Sequence, residues 1–132
     1  MDLKILEIAA NTENHKVLHN STHQSKNKNR ICGDEMEISL VVAEDVIEDM
    51  GYQCKSCAYC QASVSLLSRT VKQKNIKQVI SFIHSAEQLF GDTKIMLEKD
   101  WEEFKNILDK KNIARKECLL LPLRTVLKAL SV

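Results

Sequence analysis

The sequence predicts an α+β domain, a small antiparallel β-sheet of two to three strands with helices packed on one face. Three observations carry that expectation. Helical periodicity dominates both ends of the chain, and strand-like alternation is confined to the stretch around 37–52. Apolar residues make up 44% of the 132 positions, enough for a single core, so one domain over 1–132 is the simplest division.

The elements follow in order. Leu3, Ile5, Leu6, Ile8 and Ala9 repeat with a helical rhythm that Asn11 and Thr12 bring to an end. The segment 11–30 is polar, with Val17 and Leu18 as its apolar pair, and reads as a flexible loop with a brief strand at 15–19. In 37–43, Ile38, Leu40 and Val42 alternate with polar Glu37 and Ser39, the pattern of a half-buried strand. The stretch 46–52 continues β-like after Glu44-Asp45, so two antiparallel strands joined by a tight turn are expected. A hairpin is marginal alone and needs helices against its apolar face.

The rest of the chain supplies them. A helix over 58–73 places Ala62, Leu66, Leu67 and Val71 on one side. A second, over 75–90, gathers Val79, Ile80, Ile83, Ala86, Leu89 and Phe90 before Gly91, a favourable stop. Trp101, Phe104, Ile107 and Leu108 mark a further amphipathic helix and belong to the core rather than to a cofactor box. The last helix, over 119–130, carries Leu123, Val126, Leu127 and Leu130 inward, with Pro122 tolerable in its first turn.

Charge and hydropathy exclude several classes of function. Nineteen basic and 18 acidic residues are mixed along the chain, so nucleic acid is not the expected partner; a protein or a small inorganic species is. No apolar run approaches the roughly 20 residues of a membrane span, and MDLKILEIAANTEN is acidic and amphipathic rather than an export signal. A soluble, cytoplasmic chain with no membrane partner is expected. Five cysteines suit a disulfide framework poorly, and in a reducing compartment such residues serve more often as metal ligands or reactive thiols.

Cys32-Gly33-Asp34 precedes the first strand, and its glycine lets the backbone bring a thiolate and a carboxylate together. Cys57 falls at the strand-to-helix junction, where unpaired N–H groups and the helix dipole favour a thiolate. Cys118 immediately precedes the last helix. Cys54 and Cys60 complete a C-x-x-C-x-x-C run with Cys57, but the fourth cysteine of a ferredoxin and the second C-x-x-C of a zinc knuckle are both missing. Cys60 lies one turn from Cys57 and can approach the same site, whereas Cys54 belongs to the strand end; both read as fillers, Cys54 the more so. His15, His19 and His23, four residues apart in the polar loop, read as incidental, and His84 sits on the polar side of its helix.

Taken together, Cys32-Gly33-Asp34, Val46-Ile47-Glu48-Asp49, Cys57 followed by Ala62-Ser63-Val64-Ser65-Leu66, and Arg115-Lys116-Glu117-Cys118 resemble the NifU/IscU/SufU family of iron-sulfur cluster assembly scaffolds. The similarity runs from about Ile5 to the end. The resemblance implies a SufE/NifU-like fold and a site of Cys32, Asp34, Cys57 and Cys118 holding a transient cluster, [2Fe-2S] in type, or zinc. It implies a cysteine desulfurase as sulfur donor, with Cys118 or Cys32 accepting sulfur, and apo iron-sulfur proteins as recipients. A non-enzymatic scaffold is the first expectation and a zinc-bound SufU-like sulfurtransferase the second. The chain departs from the family pattern at Glu117, where the IscU form has histidine, at Ser56, where glycine is usual, and in lacking an L-P-P-V-K motif. The long segment between Cys57 and Cys118 is more similar to the SufU type.

Overall fold

The alternating segment and its neighbour form the centre of an antiparallel sheet. In the computed structural model, which describes residues 2–91 and 95–131, strands β2 (Glu35–Ala43) and β3 (Val46–Lys55) pair along their length. Between them Glu44 and Asp45 take φ of 52° and 63°, the doubly left-handed two-residue turn whose twist matches that of the strands. Strand β1 (His23–Lys28) adds outside β2 and the short β4 (Lys74–Asn75) outside β3, giving the order β1-β2-β3-β4. The sheet therefore has four strands where the sequence predicts two to three. Met36, Ile38 and Leu40 of β2 face Cys54, Tyr52 and Met50 of β3 across the register, and helices cover this face.

Strand β1 corrects the reading of the polar segment 11–30. The strand lies at His23–Lys28, not at 15–19, and the supposed flexible loop carries an edge of the sheet. Its inward positions are His23, Ser25 and Asn27, so it has no apolar alternation to read. Backbone pairing to β2 and a hydrogen bond from Ser25 Oγ to the Thr125 carbonyl (2.6 Å) hold it instead. The turns before it are fixed by buried Asn14. Asn14 Nδ2 donates to Ser68 Oγ (3.1 Å), its Oδ1 accepts from Lys72 Nζ (2.6 Å), and its carbonyl accepts from Tyr52 N (3.1 Å). This segment passes so close to β3 that a Cβ on Gly51 would lie 2.5 Å from the Lys16 carbonyl oxygen.

Helix α1 (Leu3–Ala9) starts at Asp2, whose carboxylate accepts from Lys4 N at 2.9 Å. Helix α2 (Ala58–Thr70) runs through the middle of the core, and α3 (Ile76–Ala86) opens on a capping box of Asn75 and Gln78. The helix expected over 75–90 stops at Ala86, yet Leu89 and Phe90 remain buried in the turns that follow. Phe82 is buried on α3 while Ile80 is only half-buried.

Trp101, Phe104, Ile107 and Leu108 are buried as expected, but they sit on and after a 3-10 helix (Lys99–Asn106) rather than an α-helix. The three-residue steps from 101 to 104 to 107 suit three residues per turn. Phe82 stacks on Trp101 with ring centres 4.1 Å apart, which ties this segment to α3. A second 3-10 helix (Lys110–Arg115) leads into α4 (Lys116–Ala129). Because α4 begins at Lys116, Cys118 lies inside its first turn and Pro122 in its interior, not in the first turn as expected. Leu119, Leu123 and Val126 of α4 pack with Ala62, Leu66 and Leu67 of α2 in the same apolar cluster, and Ser63 Oγ donates to the Leu119 carbonyl at 2.6 Å. No helix among the described residues is long and apolar enough to cross a membrane.

Candidate metal centre

The corner where β1, β2, α2 and α4 begin or end collects the sulfur chemistry. Between β1 and β2 the chain turns through Cys32-Gly33-Asp34, and Gly33 at φ +78° occupies the left-handed region that a side chain would resist. Asn29 closes the loop with three bonds. Its N–H donates to the Asp34 carbonyl (2.8 Å), its carbonyl accepts from Gly33 N (2.7 Å), and its Oδ1 accepts from Ile31 N (3.0 Å). Cys32 is left exposed at the tip while Asp34 is turned inward, 6% exposed.

Cys57 is the N-cap of α2, with extended φ and ψ and no capping bond from its own side chain. The cap is supplied across the chain by Asp34. Asp34 Oδ1 accepts from Cys57 N at 3.2 Å, and Oδ2 lies 3.6 Å from Cys57 Sγ. A carboxylate at a helix N-terminus is the favourable sign for the dipole, so one group serves both the helix start and the thiol beside it.

Cys118, 4% exposed, reaches the same place from α4, its Sγ 3.4 Å from that of Cys32. The ligand atoms of Cys32, Asp34 and Cys118 all lie within 4.8 Å of one another. Cys57 stands outside that trio and adjoins it through Asp34. Burial, and then the neighbouring Cys32 and Asp34, push the Cys118 thiol up from its ordinary range. Two soft sulfurs and a hard oxygen at this separation, with a further sulfur adjoining, are a donor set for zinc or for iron with sulfide.

The remaining candidates lie elsewhere. Cys60 is fully buried in the core, and burial pushes its thiol up; Cys54 is half-buried at the end of β3, its thiol raised by the same cause. Of the two, Cys60 on α2 is the more deeply buried, whereas the sequence reading leaned further toward Cys54 as a buried filler. His15 stacks on Tyr52 with ring centres 5.0 Å apart, and His23 shares a 2.8 Å hydrogen bond with Thr22. Neither these histidines nor His19 join a ligand cluster among the described residues.

Glu117 bonds Arg124, which also reaches Glu87 Oε1 at 3.0 Å, so the residue before Cys118 points toward the end of α3. Pro122 has no N–H to offer the carbonyl four residues back, which is that of Cys118. Arg115 lies over the ring of Tyr59, 5.4 Å from its centre, and joins the starts of α4 and α2. Sequence reasoning passed over Asn29 and noted Ser56 only as standing where glycine is usual. Each has a buried side-chain atom, Nδ2 and Oγ respectively, with no hydrogen-bond partner among the described residues. For Asn29 a signal existed: an asparagine that bonds the N–H two residues on is a common turn former.

Residues 2–100 match the NifU-like N terminal domain family. Over 130 residues the chain is 29% identical to the iron-sulfur cluster assembly scaffold protein IscU of Thermotoga maritima, a match spanning 96% of this chain and 89% of that protein. Over 99 residues it is 26% identical to the zinc-dependent sulfurtransferase SufU of Bacillus subtilis, covering 75% of this chain and 63% of that protein. Among solved structures, a proposed iron-sulfur cluster assembly scaffold protein for the SUF system from Fervidobacterium islandicum superposes with a TM-score of 0.89 at 26% identity, covering 98% of this chain and 96% of the other. The N-terminal part of a NifU-like protein from Brucella abortus gives 0.85 at 22% identity over 98% of this chain and 91% of its own, a likeness of fold.

Proposed function

The chain belongs to the NifU-like N-terminal domain family of iron-sulfur cluster assembly scaffolds, and from that premise we propose that it builds a transient [2Fe-2S] cluster on Cys32, Asp34, Cys57 and Cys118 and passes it on. The observation that carries this reading is the donor set. Cys32, Asp34 and Cys118 present their ligand atoms within 4.8 Å of one another, and Cys57 touches Asp34. Thiolates suit iron-sulfur clusters, and the cluster here is cargo rather than a resident group. A carboxylate is a harder and more exchangeable partner for such a cluster than a fourth thiolate, which suits a site that must release what it assembles.

The sulfur comes, on this reading, from a cysteine desulfurase. The 3.4 Å between the sulfurs of Cys32 and Cys118 lets either accept it beside the other ligands. Apo iron-sulfur proteins are the recipients, and a reducing cytoplasm is the compartment that keeps five cysteines as thiols. A second reading, favoured by the match to SufU, keeps zinc on the same four residues. One of the cysteines then leaves the metal to carry sulfur.

Anaerobic reconstitution with iron, sulfide and a cysteine desulfurase distinguishes the two. The scaffold reading expects visible cluster absorption that Cys57→Ala abolishes, and slower transfer to an apo-ferredoxin from Asp34→Ala. A colourless protein that retains one zinc and accelerates the desulfurase overturns it in favour of the sulfurtransferase.

A further inference from the structure

Strands β1, β2 and β3 carry a charge pattern that the metal centre does not use. Exposure alternates from His23 to Arg30, which leaves Lys26, Lys28 and Arg30 as the exposed positions of a run that ends two residues before Cys32. Across the register Lys28 faces Glu35, which faces Lys55, and Lys26 faces Glu37 with 3.9 Å between their charged atoms. Lys128 joins from α4, its Nζ donating to the Lys26 carbonyl at 2.7 Å. These side chains border an open groove of about 740 Å³.

Five Lys and Arg side chains meet two carboxylates in this groove, although the whole chain is balanced at +1. Lys28, Arg30 and Lys55 have no ion-pair partner among the described residues, so the glutamates do not neutralise the row. Two features identify what the groove fits. Small-molecule sites are mostly apolar with a few polar groups, whereas Met36 and Cys54 alone are apolar in this lining. Basic positions two residues apart on β1 repeat about every 7 Å, the spacing of alternate side chains on an extended peptide.

We propose that this groove docks an acidic, extended segment of the protein that exchanges sulfur or cluster at Cys32, with carboxylates at alternate residues against Lys26, Lys28 and Arg30. The inference rests on the scaffold reading for what the partner carries, and on charge and spacing alone for where it docks. Exposed ion pairs are individually weak, so the contact sets approach and register more than affinity. Because the row leads to Cys32, a segment bound along it brings its own protein to the exposed thiol at the loop tip.

The test uses the full, metal-free chain and a fluorescein-labelled peptide of four Glu-Thr repeats, with fluorescence anisotropy read at low salt. The peptide is expected to bind, and to be released as salt rises. Lys28→Glu combined with Lys55→Glu is expected to weaken binding about tenfold. Lys77→Glu combined with Lys105→Glu, the same change in net charge at exposed positions outside the groove, should leave it unchanged. No binding, or equal weakening by the two pairs, overturns the proposal. So does equal binding of a Gln-Thr peptide, equal displacement by citrate, or tighter binding of a thymidine oligonucleotide, which assign the groove to no acidic peptide, to a small anion and to nucleic acid respectively. If the reversed pair does not fold, Lys28→Gln with Lys55→Gln carries the same comparison with a smaller fall expected, and no fall overturns the proposal. Failure here leaves cluster assembly intact, whereas failure of the scaffold reading abolishes cluster assembly and leaves peptide binding intact.

Discussion

The two ends of α2 are built on opposite terms. At the C-terminal end, buried polar groups close on one another: Asn14 with Ser68 and Lys72, Ser68 with the Ser65 carbonyl, and Ser65 Oγ with the Asn11 carbonyl. At the N-terminal end, Asn29 Nδ2 and Ser56 Oγ are buried and open, and the sulfurs of Cys32 and Cys118 have chiefly each other. The first end is complete as folded. The second keeps polar atoms without a partner among the described residues, and that difference, more than any single distance, sets the two ends apart.

Substitutions can break or sharpen this contrast. Asn14→Ala should have the largest effect on folding, about 2–3 kcal/mol, because it removes the bonds to Ser68 and Lys72 at once and leaves a void where the buried carboxamide sat. Chemical denaturation measures the loss, and metal affinity should be unchanged. A matching fall in affinity would show that the two ends are coupled along α2. Next in size, Gly51→Ala puts a Cβ 2.5 Å from the Lys16 carbonyl oxygen and should cost about 1–3 kcal/mol, again without altering the metal centre. Smallest, Cys60→Ser exchanges a fully buried thiol for a hydroxyl beside the open end and should cost about 1 kcal/mol. Cluster assembly by that variant should be unimpaired; a failure to assemble would move Cys60 from the core into the chemistry.

What the sequence disclosed follows from where its signals are physical. The β2–β3 hairpin was legible because Ile38 and Leu40 alternate with polar neighbours, and α2 and α3 because their apolar stripes repeat at helical spacing. Strand β1 was not, since HQSKNK turns only polar residues inward and depends on the edge of β2 to exist. The 3-10 helices kept the expected buried residues but not the expected geometry, as steps of three fit either helix over so short a run. At the site, spacing alone groups Cys54, Cys57 and Cys60. The fold divides them, placing Cys57 against Asp34 and burying Cys60. That Cys32 meets Cys118 across 86 positions is a property of topology, reachable beforehand through family resemblance and not through any local pattern.

Pro122 leaves one rung of α4 open. With no N–H at that position the Cys118 carbonyl lacks its helical partner, while Arg124 ties Glu117 of the same first turn to Glu87. The one interruption of the α4 ladder thus falls on the residue whose sulfur meets Cys32, and Leu123 and Val126 beyond it stay buried in the core.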